Sequence, residues 1–124
     1  MSITLYVCQT CTDTTCPGAA GMGGGGRLRD HLLAALREHP AAEAVRLHPT
    51  NCLMACTEGC NVALSAPGRM QYVLGRFPAS AESAAAILDY AALYAASPDG
   101  TVPYRQWPEA VKGHFLARIP ALAR

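Results

Sequence analysis

The sequence has few charged residues and almost no excess of either sign. Of its 124 residues, 15% are Asp, Glu, Lys or Arg, and ten basic against nine acidic side chains leave a formal net charge of +1 at pH 7. Proteins that bind nucleic acid or anionic lipid surfaces usually carry a basic patch or stripe. The composition therefore argues against both nucleic acid and membrane surfaces as partners.

Long apolar runs are also missing. No stretch approaches the roughly 18 apolar residues that a membrane-spanning helix needs. The first residues have neither the basic region nor the long apolar region of a secretory signal. We therefore expect a cytoplasmic protein with no membrane association. Thiols stay reduced in the cytoplasm, so clustered cysteines there more often bind metals or act in redox catalysis than form disulfides.

Signatures of hydrolysis or acid–base catalysis are absent as well. No Ser/His/Asp set or paired-carboxylate arrangement is evident, and the glycine-rich segment lacks the Gly-Lys-Ser/Thr of a phosphate-binding loop. Gly21, Gly23 and Gly26 formally match a dinucleotide fingerprint, but a run of four glycines produces such matches by chance. We therefore expect a carrier and not an enzyme.

What the sequence does contain is cysteines in two dense groups. They are Cys8, Cys11 and Cys16, followed by Cys52, Cys56 and Cys60. A [2Fe–2S] cluster takes four thiolates, two for each iron. A structural zinc ion takes cysteine pairs at similar spacing. Both sites need two loops that each supply a pair of thiols.

Hydrophobic periodicity predicts the order β-α-β-β-β-α. The predicted strands cover 2–7, 43–48, 61–65 and 69–75, and the predicted helices cover 27–38 and 81–96. Ser80 is the expected N-cap of the second helix. Residues 101–124, with three prolines, are predicted to be an irregular tail with one helical turn at 109–116. This order is typical of a single α/β domain over residues 1–124, thioredoxin-like, with a four-stranded mixed sheet flanked by helices.

The predicted topology brings the two cysteine groups together. In a strand–helix–strand unit the two strands run parallel, and their carboxyl ends lie at the same edge of the sheet. Cys8 follows the first strand and Cys52 follows the second. We therefore expect both cysteine loops to emerge side by side. The glycine-rich segment 18–26 would allow backbone N–H groups to approach the sulfur atoms of a cluster.

Several stretches of the chain resemble known proteins. Val7-Cys8, the long loop and helix that follow, and Cys52-Leu-Met-Ala-Cys56 resemble the thioredoxin-like [2Fe–2S] ferredoxins and the related small subunit of respiratory NADH dehydrogenase. The whole chain is still more similar to a bacterial family known only as predicted metal-binding proteins of unknown function. That similarity runs through the stretches 5–11, 52–60, 72–75, 94–100 and 117–120.

The resemblance implies a [2Fe–2S] cluster and a set of ligands. The implied ligands are Cys8, Cys11, Cys52 and Cys56. Cys16 is the alternative to Cys11 as the fourth ligand. Cys60 matches a position that is not a ligand in the ferredoxins, so it is either a buried small hydrophobe or a replacement ligand.

The resemblance also implies what the protein does and with which partners. It implies a one-electron carrier, a homodimer, and redox partners such as a reductase or an electron acceptor. Members of the bacterial family often accompany cobalamin-related genes, which implies enzymes of a corrin pathway as partners.

Three other functions stay open at this point. The cysteine pairs suit a zinc site, and a bound cluster or ion could be cargo for delivery or a signal to be sensed. Cys8 and Cys11 also form a Cys-x-x-Cys motif typical of thiol–disulfide exchange. The expected helix begins near Arg27, however, too far away to lower the pKa of either thiol. His48, the histidine closest to Cys52, could hydrogen-bond near a metal centre.

Overall fold

The computed structural model describes residues 3–8, 24–40, 42–50 and 60–120. Its elements are β1 (Ile3–Cys8), α1 (Gly24–Leu36), β2 (Val45–Thr50), β3 (Val62–Ser65), β4 (Gln71–Leu74), α2 (Ala81–Ala96), two short 3-10 turns (Tyr104–Gln106 and Glu109–Val111) and β5 (Phe115–Ile119). None of the helices in these residues is long and apolar enough to cross a membrane.

The strands form one mixed sheet in the order β2-β1-β3-β4-β5. β1 and β2 are parallel, and Cys8 pairs with Thr50 at their carboxyl ends. The other neighbouring pairs are antiparallel. The predicted strand–helix–strand unit and the hairpin that follows it are thereby confirmed.

The fifth strand corrects the prediction of four strands and an irregular tail. Residues 115–119 pair with β4, and the helical turn expected at 109–116 is a 3-10 turn at Glu109–Val111 that ends before β5. Pro103 and Pro108 precede the two turns, and Pro120 follows β5, so no proline removes a donor from the strand. The strand forms because β4 supplies hydrogen-bonding partners from a distant part of the sequence, which local patterning does not reveal.

The apolar core lies on one face of the sheet. Its largest members are Tyr90, Tyr94, Phe77, Ile3, Leu5, Leu28, Leu32, Leu64, Leu74, Ile87 and Leu88. α1 and α2 contact each other and β1, so the two described helices share this face. The predicted mixed sheet flanked by helices is confirmed as an α/β fold. Thr4 and Tyr6, on the other face of β1, are half-buried.

Helix α2 has the bounds predicted from the sequence, because its end signals are local. The Ser80 hydroxyl accepts a hydrogen bond from the Ser83 N–H at 3.2 Å and caps the first turn. At the other end, the Ser97 N–H donates to the carbonyls of Leu93 and Tyr94. The guanidinium of buried Arg69 donates to the Tyr94 and Ala95 carbonyls, where a cation also complements the helix dipole.

Candidate metal centre

The carboxyl ends of β1 and β2 lie side by side. Cys8 and Thr50 are register partners, and neighbouring strands are about 4.8 Å apart. Cys52 comes two residues after Thr50 in the sequence. The structure thus confirms that the strands preceding the two cysteine groups end at the same edge of the sheet.

β3 begins on the other side of β1 at this edge. The backbone N–H of Cys8 donates to the carbonyl of Asn61 at 3.1 Å, next to the Val7–Val62 pair of the antiparallel ladder. Thr50 and Asn61 therefore flank Cys8, and Cys60, which precedes Asn61, borders segment 51–59. The described residues next to the two ends of the segment that carries Cys52 and Cys56 thus lie close to Cys8.

The two cysteines that the structure describes differ in their surroundings. Cys8 is fully buried, although Thr4 and Tyr6, which precede it at alternate positions on the same face of β1, are half-buried. Alternation along β1 places Cys8 on the face of Thr4 and Tyr6, whereas Ile3, Leu5 and Val7 on the opposite face belong to the main core cluster. Cys60 is part of it, and its backbone exchanges hydrogen bonds with Phe77 at 3.5 and 3.3 Å. Cys60 thus has the environment of a small hydrophobic side chain.

The ends of β4 and β5 extend the same edge. The N–H of Gly75 donates to the His114 carbonyl at 2.8 Å, and Nδ1 of His114 donates to the Gly75 carbonyl, also at 2.8 Å. Because a carbonyl can only accept, Nδ1 carries the proton. The imidazole stacks on the Phe77 ring, with centroids 4.4 Å apart and an interplanar angle of 10°.

Arg76, between Gly75 and Phe77, has an unusual backbone conformation. Its φ of 61° lies in the left-handed region, which costs a non-glycine residue on the order of 1 kcal/mol. Its exposed side chain donates to the Gly113 carbonyl at 3.2 Å, which links the residues after β4 to those before β5. We call the whole feature the Cys8 edge; it comprises Cys8, Thr50, Cys60, Asn61, Gly75, Arg76, Phe77, Gly113 and His114.

Sequence analysis missed Arg76 and His114 as residues of this edge. His114 lies in the tail that was predicted to be irregular. Arg76 follows β4 closely in the chain, but its left-handed backbone lacks the glycine or asparagine that would have marked it in the sequence. His114 reaches the edge only through the pairing of β5 with β4, a contact between distant residues.

Most of the predicted ligands lie outside the described residues. These are Cys11, Cys52, Cys56 and the alternative Cys16, together with most of the glycine-rich segment. Within residues 3–8, 24–40, 42–50 and 60–120, no three His, Cys, Asp or Glu side chains are close enough to hold a metal ion. The assignment of the four ligands stays a prediction.

Two other histidines have partners away from the Cys8 edge. Nε2 of His39 lies 2.8 Å from Oδ1 of Asp89, which links the end of α1 to α2. The ring of His48 contacts Tyr6 edge to face, with centroids 5.5 Å apart. His48 therefore lies on the sheet face, two residues before the end of β2.

The chemistry of this edge suits a centre with thiolate ligands. Thiolates are the preferred ligands of iron–sulfur clusters and of zinc. Cys8 supplies a buried sulfur at the end of a strand, and the backbone around it is fixed by hydrogen bonds to two other strands. A rigid strand end of this kind positions a ligand better than a loop would.

Comparisons with known proteins agree with this fold. Residues 5–121 match the family described as "Protein of unknown function (DUF1636)". No curated protein sequence matches the chain. Among solved structures, the chain is similar to a thioredoxin-like [2Fe-2S] ferredoxin from Aquifex aeolicus, with a TM-score of 0.57 and 16% identity over 94% of this chain and 92% of that one. The likeness confirms the predicted thioredoxin-like α/β fold.

Proposed function

We propose that this chain, which belongs to the DUF1636 family, holds a [2Fe–2S] cluster at the Cys8 edge and carries single electrons between redox proteins. One observation carries the proposal: buried Cys8 lies between Thr50 and Asn61, which stand just before and just after the stretch of chain that contains Cys52 and Cys56. The Aquifex protein of the same fold is named as a [2Fe-2S] ferredoxin, which supports the choice of cluster.

The proposed ligands are Cys8, Cys52, Cys56 and Cys11, with Cys16 as the alternative to Cys11. Cys60 is left out because it belongs to the main core cluster, whereas Cys8 lies on the other face of β1 from that cluster. The single N–H of the Cys8 backbone already donates to Asn61. Backbone donors to the cluster sulfurs would therefore come from the cysteine loops and not from β1.

A bound cluster of this type supplies reversible one-electron chemistry. Plant-type ferredoxins, whose clusters have four cysteine ligands, have reduction potentials of about −0.4 V. We expect a reduction potential on this order here. The chain's own contribution is the burial of Cys8, since limited access of water around a cluster is one of the factors that set its potential.

The family resemblance supports the remaining parts of the proposal. We propose a cytoplasmic homodimer that exchanges electrons with a reductase and an acceptor. An enzyme of a corrin pathway is the acceptor class that the resemblance suggests. The protein itself would not be an enzyme.

The test is to determine what the purified full-length chain binds and whether it is redox-active. After anaerobic purification or reconstitution, we expect about two irons and two sulfides per chain, visible absorption bands, and a rhombic S = 1/2 EPR signal after reduction. One zinc and no iron would contradict the proposal and support a structural zinc site. Stoichiometric transfer of the cluster to an apo-protein would indicate delivery. Rapid turnover in insulin reduction would indicate thiol–disulfide exchange.

A further inference from the structure

A second feature lies beside β5 and includes none of the residues of the Cys8 edge. It is a groove of about 360 Å³, lined by Tyr72, Thr101, Val102, Trp107, Phe115, Leu116, Ala117 and Arg118. This volume is within the range of about 300 to 1,000 Å³ that is typical of small-molecule sites. The proposed cluster and its cysteine ligands do not involve this groove.

One wall of the groove is an aromatic surface held in place by neighbours. The indole Nε1 of Trp107 donates to the carbonyl of Val102 at 2.9 Å, which fixes the orientation of the ring. The Phe115 ring lies 4.4 Å from Trp107 at 31°, and 5.5 Å from Tyr72 at 78°. A ligand would therefore meet rings that are already positioned, and binding would cost little ordering of side chains.

A β-bulge shapes the part of the groove that β5 forms. Val73 pairs with Ala117 and Leu74 pairs with Phe115, so Leu116 is an extra residue in β5. In a regular strand, successive side chains point to opposite faces. Here four consecutive residues of β5 line one groove, and bulges commonly redirect side chains near binding sites.

The charge in the β5 part of the groove is positive. Arg118 is the register partner of Tyr72 and lines the groove with it. Its guanidinium has no hydrogen bond or ion pair with any residue in the described part of the chain. The nearest acids along the chain from the groove lining are Asp99 and Glu109, and both already have partners. The Asp99 carboxylate accepts hydrogen bonds from the hydroxyl and N–H of Thr101 and from Ser97, which hold the pKa of Asp99 below its usual value. The Glu109 carboxylate pairs with Lys112 at 2.7 Å.

We propose that this groove binds a planar, largely apolar small molecule that carries one negative charge. Flat aromatic rings and aliphatic side chains favour a flat apolar body. The planar guanidinium of Arg118 favours a carboxylate or a similar oxyanion, to which it can donate two parallel hydrogen bonds. The site does not depend on a bound cluster, so its test can fail or succeed independently of the proposed electron carrier.

The chain supplies its own reporter for the test. Trp107 is the single tryptophan, so an NMR spectrum of the full-length protein contains one indole N–H signal, and that signal comes from the groove wall. We would titrate the protein with 2-naphthoate, a planar carboxylate, and with 2-naphthamide, its neutral counterpart. The proposal predicts a saturable shift of the indole signal with tighter binding of the carboxylate.

Two variants distinguish recognition of the negative charge from nonspecific hydrophobic binding. Arg118→Gln should weaken binding of 2-naphthoate about five- to tenfold, as expected for one charged hydrogen-bonding group at an exposed site, and should leave 2-naphthamide unchanged. Arg46→Gln removes an exposed arginine from β2, the strand at the opposite edge of the sheet from β5. This variant should leave the affinities for both ligands unchanged. A wild-type protein without a saturable shift would overturn the proposal, as would equal losses in the two variants.

Discussion

The Cys8 edge and the groove beside β5 are built by different means. At the edge, backbone hydrogen bonds hold the strand ends: Cys8 to Asn61, Cys60 to Phe77, and Gly75 to His114. The groove is shaped by side chains from three separate segments and by a bulge in β5. A side-chain replacement at the edge should therefore change chemistry while the backbone stays in place. A replacement near the groove should change packing.

The first prediction concerns the two described cysteines and has the largest expected effect. Cys8→Ser should abolish cluster binding, because a hydroxyl is a poor replacement for a buried thiolate ligand. Cys60→Ser should keep the cluster, because Cys60 packs in the apolar core. The measurements are iron and sulfide counts and the EPR signal of each reduced variant.

Stability provides the control for this pair. Placing a serine hydroxyl in the core at position 60 should lower the free energy of unfolding by about 1 to 3 kcal/mol. Cys60→Ala avoids the buried hydroxyl and should also keep the cluster. A colourless, folded Cys60→Ala protein would show that Cys60 is a ligand and that the two cysteines have been assigned the wrong roles.

The second prediction compares two glycines that share a backbone conformation. Gly100 and Gly113 both have φ of 84°, in the left-handed region. Gly100 precedes Thr101 of the groove, and a Cβ there would come within 2.9 Å of the Met70 backbone nitrogen and of the Tyr94 ring. Gly113 belongs to the Cys8 edge, and a Cβ there would meet nothing within 4 Å.

Alanine at these two positions should therefore separate strain from crowding. Gly113→Ala should cost about 1 kcal/mol of unfolding free energy, from the left-handed backbone alone. Gly100→Ala adds overpacking against a backbone atom and should cost roughly 2 to 5 kcal/mol. Urea unfolding of both variants in the same metal state gives their free energies of unfolding. Equal losses of unfolding free energy would mean that the surroundings of Gly100 are no more tightly packed than those of Gly113 at the Cys8 edge.

The contrast between the Cys8 edge and the groove beside β5 also explains which features could be predicted from the sequence. The parallel pairing that brings Cys8 beside Thr50 follows from a strand–helix–strand order, and the α2 cap at Ser80 is a local signal. Both were predictable. β5 was not, because its partner β4 lies about forty residues earlier in the sequence and its flanking prolines suggested irregular structure.

The groove could not be predicted for a related reason. Phe115 and Arg118 line one surface only because of the bulge, since alternation along a regular strand would have placed these two side chains on opposite faces. The contact between Trp107 and Phe115 likewise depends on two turns whose only sequence signals are the prolines before them. His114 reaches the Cys8 edge by the same non-local pairing of β5.

The third prediction has the smallest effect and concerns Tyr90, whose ring packs against the aromatic wall of the groove. It contacts Phe115, Trp107 and Tyr72 at centroid distances of 5.3, 6.1 and 6.1 Å. Burial, reinforced by the nearby Tyr72, raises the pKa of Tyr90 far above its usual value. The folded protein thus keeps this phenol neutral at a pH where the unfolded chain ionises it.

The sign of the effect follows from this difference. A pKa that is higher in the folded state contributes stability that is complete below the unfolded value, near pH 10, and is lost as the pH rises above it. Between pH 9 and 11, the free energy of unfolding of the wild type should therefore fall by about 1.4 kcal/mol more than that of Tyr90→Phe. Unfolding curves of both proteins at each pH give this difference, and contributions of the cysteines cancel in it. Tyr104→Phe, at a tyrosine that is 62% exposed, is the control and should lose stability as wild type does. If Tyr90→Phe also follows wild type, water reaches Tyr90, and the wall behind the groove is looser than its ring contacts indicate.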